Sequence, residues 1–331
     1  MADTVDRIGR IGILLAGILL GALAGWYVFL ERSSTLADLA GVLLVLGTIG
    51  GAARTAGRVG TSLFPEYNVA EVAVEGPITR DGGRPVPTGD TGTPADDIVD
   101  QIERADEDDS AKALLLKLNT PGGEVVPSDD IRIAAREFDG PTIAYATDTC
   151  ASGGYWIASG CDEFWARDAS IVGSIGVILS QVTAGGFLEK AGLTYEGITA
   201  GEYKDSLTSL KDLEDDEREY LQGITDDFYA NFVERVADGR DLDPEEIRDT
   251  EARIYLGEAA AEHGLVDELG RREDIEAELE YEIGEPVTVE EFEPDKGITD
   301  RISVAGTRLA YAFGAGLASV VGADRVPRFE A

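Results

Sequence analysis

The sequence predicts an α/β protein carried behind an N-terminal membrane region, and three observations lead there. Short apolar runs alternate with helical patterns from residue 68 onward, the signature of parallel strands buried on both faces. Those runs end in Gly-bearing turns, where open α/β sheets place their function. Residues 1–60 hold four acids and five Arg, whereas the remaining chain holds 60 acids against 23 bases, so charge separates the N-terminal segment from the rest.

The N-terminal segment comes first. Ile11 to Leu30 contains no charge, and 20 such residues cross a bilayer core of ~30 Å as a helix. Trp26 and Tyr27 near its end suit the interface. Ala22-Leu23-Ala24 resembles a signal-cleavage site, but a second apolar run, Leu39 to Ala53, follows and favours an uncleaved helical hairpin. Arg7, Arg10, Arg54 and Arg58 outside the two runs outnumber Arg32 between them, which places both outer flanks in the cytoplasm. If only the first run spans, the large domain lies on the other side.

Beyond Pro65 the pattern is globular. Asn68 to Val74 alternates as a strand, Arg80 to Ala95 is a Gly/Pro/Thr loop, and Asp96 to Ala105 has helical periodicity. Three buried runs follow, each with its turn. Ala113 to Leu118 ends in Asn119-Thr120-Pro121-Gly122-Gly123, with a helix expected from near Pro127. Pro141 to Ala146 ends before Thr149-Cys150-Ala151-Ser152-Gly153-Gly154-Tyr155-Trp156, and Glu163 to Ala166 before Ser170-Ile171-Val172-Gly173-Ser174-Ile175-Gly176. Residues 213–238 place Leu221, Ile224, Phe228, Phe232 and Val236 on one helical face. Val304 to Val321 is apolar apart from Arg308 and reads equally as an interfacial, inter-subunit or domain-packed helix. The expected organisation is thus a membrane anchor (1–60), a catalytic domain (61–285) and a C-terminal extension (286–331).

Composition excludes several functions. A net charge of −36 repels phosphate, so nucleic acid is not an expected partner. Acid excess with only six lysines suits a surface kept soluble in very high salt. Two cysteines and one histidine leave a Cys/His zinc site without ligands and rule out a disulfide scaffold. No metal or cofactor is expected.

The chemistry then turns on Ser152. A serine hydroxyl needs a base and donors for the oxyanion it creates, although Ser-Gly-Gly alone reads more simply as a turn. Gly122 and Gly123, at a strand's carboxyl end, offer free N–H groups. His263 sits in Ala259-Ala260-Ala261-Glu262-His263-Gly264, a helix end rather than a base position. A lysine remains, and it works as a base only where apolar burial lowers its pKa from ~10.4.

At these residues the chain resembles the signal peptide peptidase A family, membrane-anchored Ser/Lys peptidases of ClpP/crotonase-like fold. The likeness covers roughly residues 68–270. It is carried by NTPGG at 119–123, ASGGYW at 151–156, VGSIGV at 172–177, Glu202-Tyr203-Lys204-Asp205, and RIYLGEAAAEHGLVDELG at 253–270. The resemblance implies Ser152 as nucleophile, Lys204 as general base, Gly122 or Gly123 as oxyanion donor, and Ser174 as hydrogen-bond partner of the lysine. It further implies apolar peptide substrates, residence at the bilayer and a homo-oligomer, with the dyad formed within or across subunits. Thr120, Trp156 and His263 depart from the family's commoner residues without removing a dyad member. Glu202 and Asp205 flank Lys204 and favour its charged form, so they are expected to face solvent while Lys204 points into an apolar cleft. A crotonase-like acyl-CoA enzyme and a catalytically silent membrane scaffold are the alternatives.

Overall fold

The computed structural model describes residues 2–29, 44, 45, 47–56, 67–81, 92 and 94–294. The apolar segment Val304 to Val321 and much of the Arg80 to Ala95 loop lie outside these residues.

Two N-terminal helices come first, α1 (Ala2–Phe29) and α2 (residues 47–56). They approach closely along small residues. A Cβ added at Gly17 would fall 2.4 Å from the Ala56 Cβ, one at Gly21 2.7 Å from the Ala52 Cβ, and one at Gly25 2.5 Å from Thr48 Oγ1. Only glycine at each fourth residue lets the two backbones meet this closely. Away from this seam Leu15, Leu19, Leu20 and Leu23 are more than half exposed. The uncharged stretch 11–29 rises about 28 Å, just under the ~30 Å of a bilayer core. Among the described residues no helix is long and apolar enough to cross a membrane.

The remainder is a mixed α/β structure around an eight-stranded sheet. Its strands are β1 (Val69–Glu75), β2 (Ala113–Thr120), β3 (Thr142–Ala151), β4 (Glu163–Ala166), β5 (Ile171–Gly173), β6 (Ile254–Leu256), β7 (Glu268–Leu269) and β8 (Val289–Glu291). The helices are α3 (Ala95–Asp106), α4 (Val125–Glu137), α5 (Gly153–Ala158), α6 (Gly185–Lys190), α7 (Asp215–Arg240), α8 (Pro244–Asp249), α9 (Gly257–Glu262) and α10 (Arg272–Ile283). The order is β6-β5-β3-β2-β1-β8, with β4 pairing β3 and β7. All pairs are parallel except β5 with β6.

Alternation in the buried strands divides the core in two. Val72, Val74, Leu114, Leu116 and Leu118 pack with Ile98 and Ile131 of α3 and α4 on one side. Val69, Leu115, Ile143 and Tyr145 pack with Ile275 and Leu279 of α10 on the other. Glu71, almost fully buried, is paired there with Arg272, as a buried carboxylate requires. β8 lies past residue 285 and adds an edge strand beside β1, so the sheet draws on the segment set apart in sequence as a C-terminal extension.

The expected strand at 141–146 continues to Ala151, carrying β3 directly into the Ser152 turn. Its first half pairs with β4 and its second half with β5. This switch of partner opens the sheet where β3 ends. On α7, Phe232 and Val236 are buried, whereas Phe228 on the same expected face is 38% exposed. Leu221 nearer the start of the helix is buried and Ile224 half-buried, so on this face it is the mid-helix Phe228 that reaches the surface.

Candidate active site

Ser152 is the one residue between the end of β3 and the start of α5. Its backbone has φ 52° and ψ −119°, a conformation L side chains avoid, at a cost of about 1–3 kcal/mol. The surroundings impose it. The Ser152 N–H donates to the Gly173 carbonyl at 2.9 Å, and its own carbonyl accepts from the Trp156 N–H at 3.0 Å. Tyr155, fully buried, anchors α5 by donating its hydroxyl to the Leu265 carbonyl at 2.7 Å. A strained serine at a strand-to-helix turn is the arrangement that presents a nucleophilic hydroxyl off a sheet edge.

The glycine pair after β2 lies against this turn, and the structure separates the two members. The Gly122 N–H is taken by Thr120 Oγ1 at 3.0 Å, so it does not face an oxyanion. The backbone either side of Gly123 is held by Ile78, whose N–H donates to the Gly122 carbonyl at 3.1 Å while its carbonyl accepts from Glu124 at 2.9 Å. No described group accepts the Gly123 N–H. A Cβ added at Gly153 would lie 3.0 Å from the Gly123 nitrogen, and one at Gly122 2.5 Å from the Gly153 nitrogen, so the two amides sit side by side. Gly153 opens α5, where the first N–H groups have no intrahelical acceptor. The two adjacent amides left free for an acceptor are thus those of Gly123 and Gly153. The second is absent from the sequence reading, although its place at the first helical position after the serine is the signal that finds it.

Beside these groups is a pocket of about 90 Å³ lined by Gly123, Val125, Ser128, Ser152, Gly153, Trp156, Gly176, Val177, Ile178 and Phe232. Val125, Trp156, Val177, Ile178 and Phe232 form its apolar wall, Ser128 and Ser152 its polar one, and it contains no charged side chain. Trp156 packs on Phe232 with ring centroids 4.7 Å apart and is oriented by Asp129 Oδ1, which accepts from the indole N–H at 2.8 Å and from Arg132 Nε at 2.7 Å. Burial pushes the Asp129 carboxyl up, but the hydrogen bonds from Trp156 and Arg132 outweigh it and hold the group below the usual carboxylate range.

The other sequence candidates divide. Cys150 is fully buried and unpaired, as is Cys161 nearby. Burial pushes the Cys150 thiol well above its ordinary range and Cys161 up to about 12, which removes Cys150 as a rival nucleophile. His263 follows α9 and packs against Tyr255 with ring centroids 4.7 Å apart and planes tilted by 57°, the helix-end position expected. Ser174 is half-buried with φ 54° and donates its N–H to the Arg253 carbonyl at 2.9 Å.

Lys204 is not where it was expected. It lies in an exposed turn, outside the lining of the Ser152 pocket, and no described hydrogen bond links it to Ser152 or Ser174. Asp205, expected to face solvent, is instead half-buried and paired with Lys211. The physical reason lies in residues 177–207, which leave Ile178 87%, Val182 85% and Ile198 fully exposed. Among the described residues nothing covers this apolar segment, and no cleft closes around Lys204 there.

Comparison with known proteins places this geometry. The family model for peptidase family S49 matches residues 134–284. A provisionally named protease of Synechocystis sp. is 39% identical over 171 residues, 51% of this chain and 62% of that protein. One from Methanocaldococcus jannaschii is 34% identical over 230 residues, 68% of this chain and 72% of that protein. A provisionally named signal peptide peptidase SppA of Enterococcus faecium is 34% identical over 189 residues, 56% of this chain and 55% of that protein. The chain therefore spans between just over half and just under three quarters of the length of these relatives. On these matches the chain belongs to peptidase family S49, a family of serine peptidases.

Proposed function

We propose that the chain is a membrane-bound serine endopeptidase of ClpP/crotonase-like fold that hydrolyses apolar peptides through Ser152, with Lys204 as general base. One observation carries the reading: a strained serine stands beside two adjacent amide donors and an uncharged apolar pocket. In the reaction Ser152 Oγ attacks the scissile carbonyl and passes its proton to the neutral Lys204 amine. The Gly123 and Gly153 N–H groups take the oxyanion, and the ammonium returns the proton to the leaving amine. Water then repeats the sequence on the acyl-enzyme. The pocket receives an apolar side chain next to the cleaved bond.

No helix of the described residues is long and apolar enough to cross a membrane, so the membrane attachment rests on the sequence: the uncharged run Ile11 to Leu30 favours an anchor at the bilayer, and the arginines at both outer flanks favour the cytoplasmic side for the catalytic domain. A reporter fused to the C-terminus tests that side. The exposed apolar segment 177–207 is covered by a neighbouring copy in a homo-oligomer, which brings Lys204 and Ser152 into one site. The acid-rich surface suits high salt. An acyl-CoA enzyme is disfavoured because the pocket lining contains no Lys or Arg for the cofactor phosphates.

The test is cleavage of an apolar fluorogenic peptide in molar salt. Ser152→Ala and Lys204→Ala are each expected to lower kcat/KM by at least about 1,000-fold. Full activity in either variant overturns the dyad. An acylating serine reagent is expected to label Ser152.

A further inference from the structure

The protein has 64 acids and only six lysines, yet it holds one lysine between two carboxylates beside the Lys204 turn. Lys211 Nζ lies 2.7 Å from Glu217 Oε1 and 3.2 Å from Asp205 Oδ1. Glu217, in the first turn of α7, has a side chain only 4% exposed, and its second oxygen accepts from the Glu214 N–H at 3.1 Å. Burying a carboxylate there needs a partner, and Lys211 supplies it. The residues either side of Lys204 are tied to α7 as well. Tyr203 stacks on Tyr220 with centroids 4.7 Å apart. Ser206, 2% exposed, donates its hydroxyl to the Tyr203 carbonyl at 3.1 Å. The backbone on both sides of Lys204 is therefore held, while no described hydrogen bond or ion pair engages its amine.

We propose that Lys211 is a positioning residue for the peptidase reaction: by bridging Asp205, the residue next in sequence to Lys204, and the buried Glu217, it fastens the Lys204 turn to the start of α7. The inference rests on Lys204 being the base.

The experiment measures kcat and KM for the full chain, using the apolar fluorogenic peptide in molar salt. In Lys211→Met kcat is expected to fall roughly tenfold with KM changed less than twofold, because the Lys204 turn is no longer fastened in place. Lys211→Arg, which keeps both ion pairs, is expected to restore kcat. Wild-type kcat in Lys211→Met, or a loss that Lys211→Arg does not recover, overturns the proposal. Should Lys211→Met fold poorly, Asp205→Asn decides: it cuts the tie to the Lys204 turn while leaving Lys211 on Glu217, so a several-fold loss of kcat supports the clamp and wild-type kcat refutes it. Full activity in Lys204→Ala would instead overturn the dyad, so the two failures are told apart.

Discussion

Around Ser152 the backbone is held by the sheet, whereas among the described residues the Lys204 turn is held by its neighbours in sequence and by the first two turns of α7. Ser152 takes its strained φ from hydrogen bonds to Gly173 and Trp156, and Gly123 and Gly153 are positioned through Ile78 and through β3. The Lys204 segment has exposed Ile198 and Leu207 and rests on side-chain contacts. One half of the proposed site is thus set during folding, and the other waits for something to cover it. The difference predicts opposite responses to small insults. Extra atoms near Ser152 have nowhere to go, and extra atoms near Lys204 displace flexible side chains.

The largest effect on the rigid side is expected at Gly122. Its φ is +94°, and an added Cβ would stand 2.5 Å from the Gly153 nitrogen and 2.8 Å from both the Ala151 carbonyl oxygen and the Ser152 Cβ. None of these is the end of a flexible side chain, so Gly122→Ala must move the serine or the donor amide. Loss of one oxyanion donor costs roughly 100- to 1,000-fold in kcat, and that is the loss expected in steady-state kinetics, with KM changed far less. Retention of wild-type kcat would break the comparison, because the serine half would then be adaptable.

The next effect lies at the pocket wall. Asp129→Asn leaves Arg132, whose side chain is 7% exposed, without its carboxylate, and it weakens the hold on Trp156. Hydrogen bonds to charged groups contribute about 1.5–3 kcal/mol, so a lower thermal midpoint and a several-fold rise in KM are expected, with kcat less affected than in Gly122→Ala. The pH sign follows from the depressed carboxyl of Asp129. Its stabilisation is fully present above the ordinary carboxylate pKa of ~3.9 and is lost as pH falls through the lower folded value. Thermal melts between pH 5 and pH 2 check this: the wild type is expected to lose its advantage over Asp129→Asn across the acid end of that range.

This division also explains what was legible in the sequence. Ala113 to Leu118 and Glu163 to Ala166 were readable as strands because burial on both faces leaves continuous apolar runs, and the glycine pairs marked the ends of β2 and β3. Ile171–Gly173 and Ile254–Leu256 were not, since three residues carry no period and their pairing is decided by distant partners. Which glycine of the pair keeps a free N–H depends on the Thr120 hydroxyl, which takes that of Gly122, a contact that spacing does not encode. His263 was readable at a helix end because the following Gly264, with φ +69°, is the usual stop signal. The setting of Lys204 was illegible for a different reason: an exposed apolar segment shows in sequence as apolar residues, and sequence does not say whether the same chain covers them.

The smallest effect is expected on the yielding side, at Gly197. A Cβ there would lie 3.0 Å from Asp205 Oδ2 and 3.1 Å from the Tyr195 hydroxyl, contacts as tight as some near Ser152 in distance but different in kind. Both atoms end rotatable side chains, and displacing them by a few tenths of an ångström costs a rotamer adjustment of about 0.5–1.5 kcal/mol. Glu217 keeps Lys211 in place at 2.7 Å, and a shift of a few tenths of an ångström leaves Asp205 within ion-pair reach of it, since that contact starts at 3.2 Å. Gly197→Ala is therefore expected to leave kcat within about twofold of wild type and the thermal midpoint nearly unchanged. A loss approaching that of Gly122→Ala would mean that the Lys204 turn is as tightly specified as the Ser152 turn, and the contrast between the two halves would have to be abandoned.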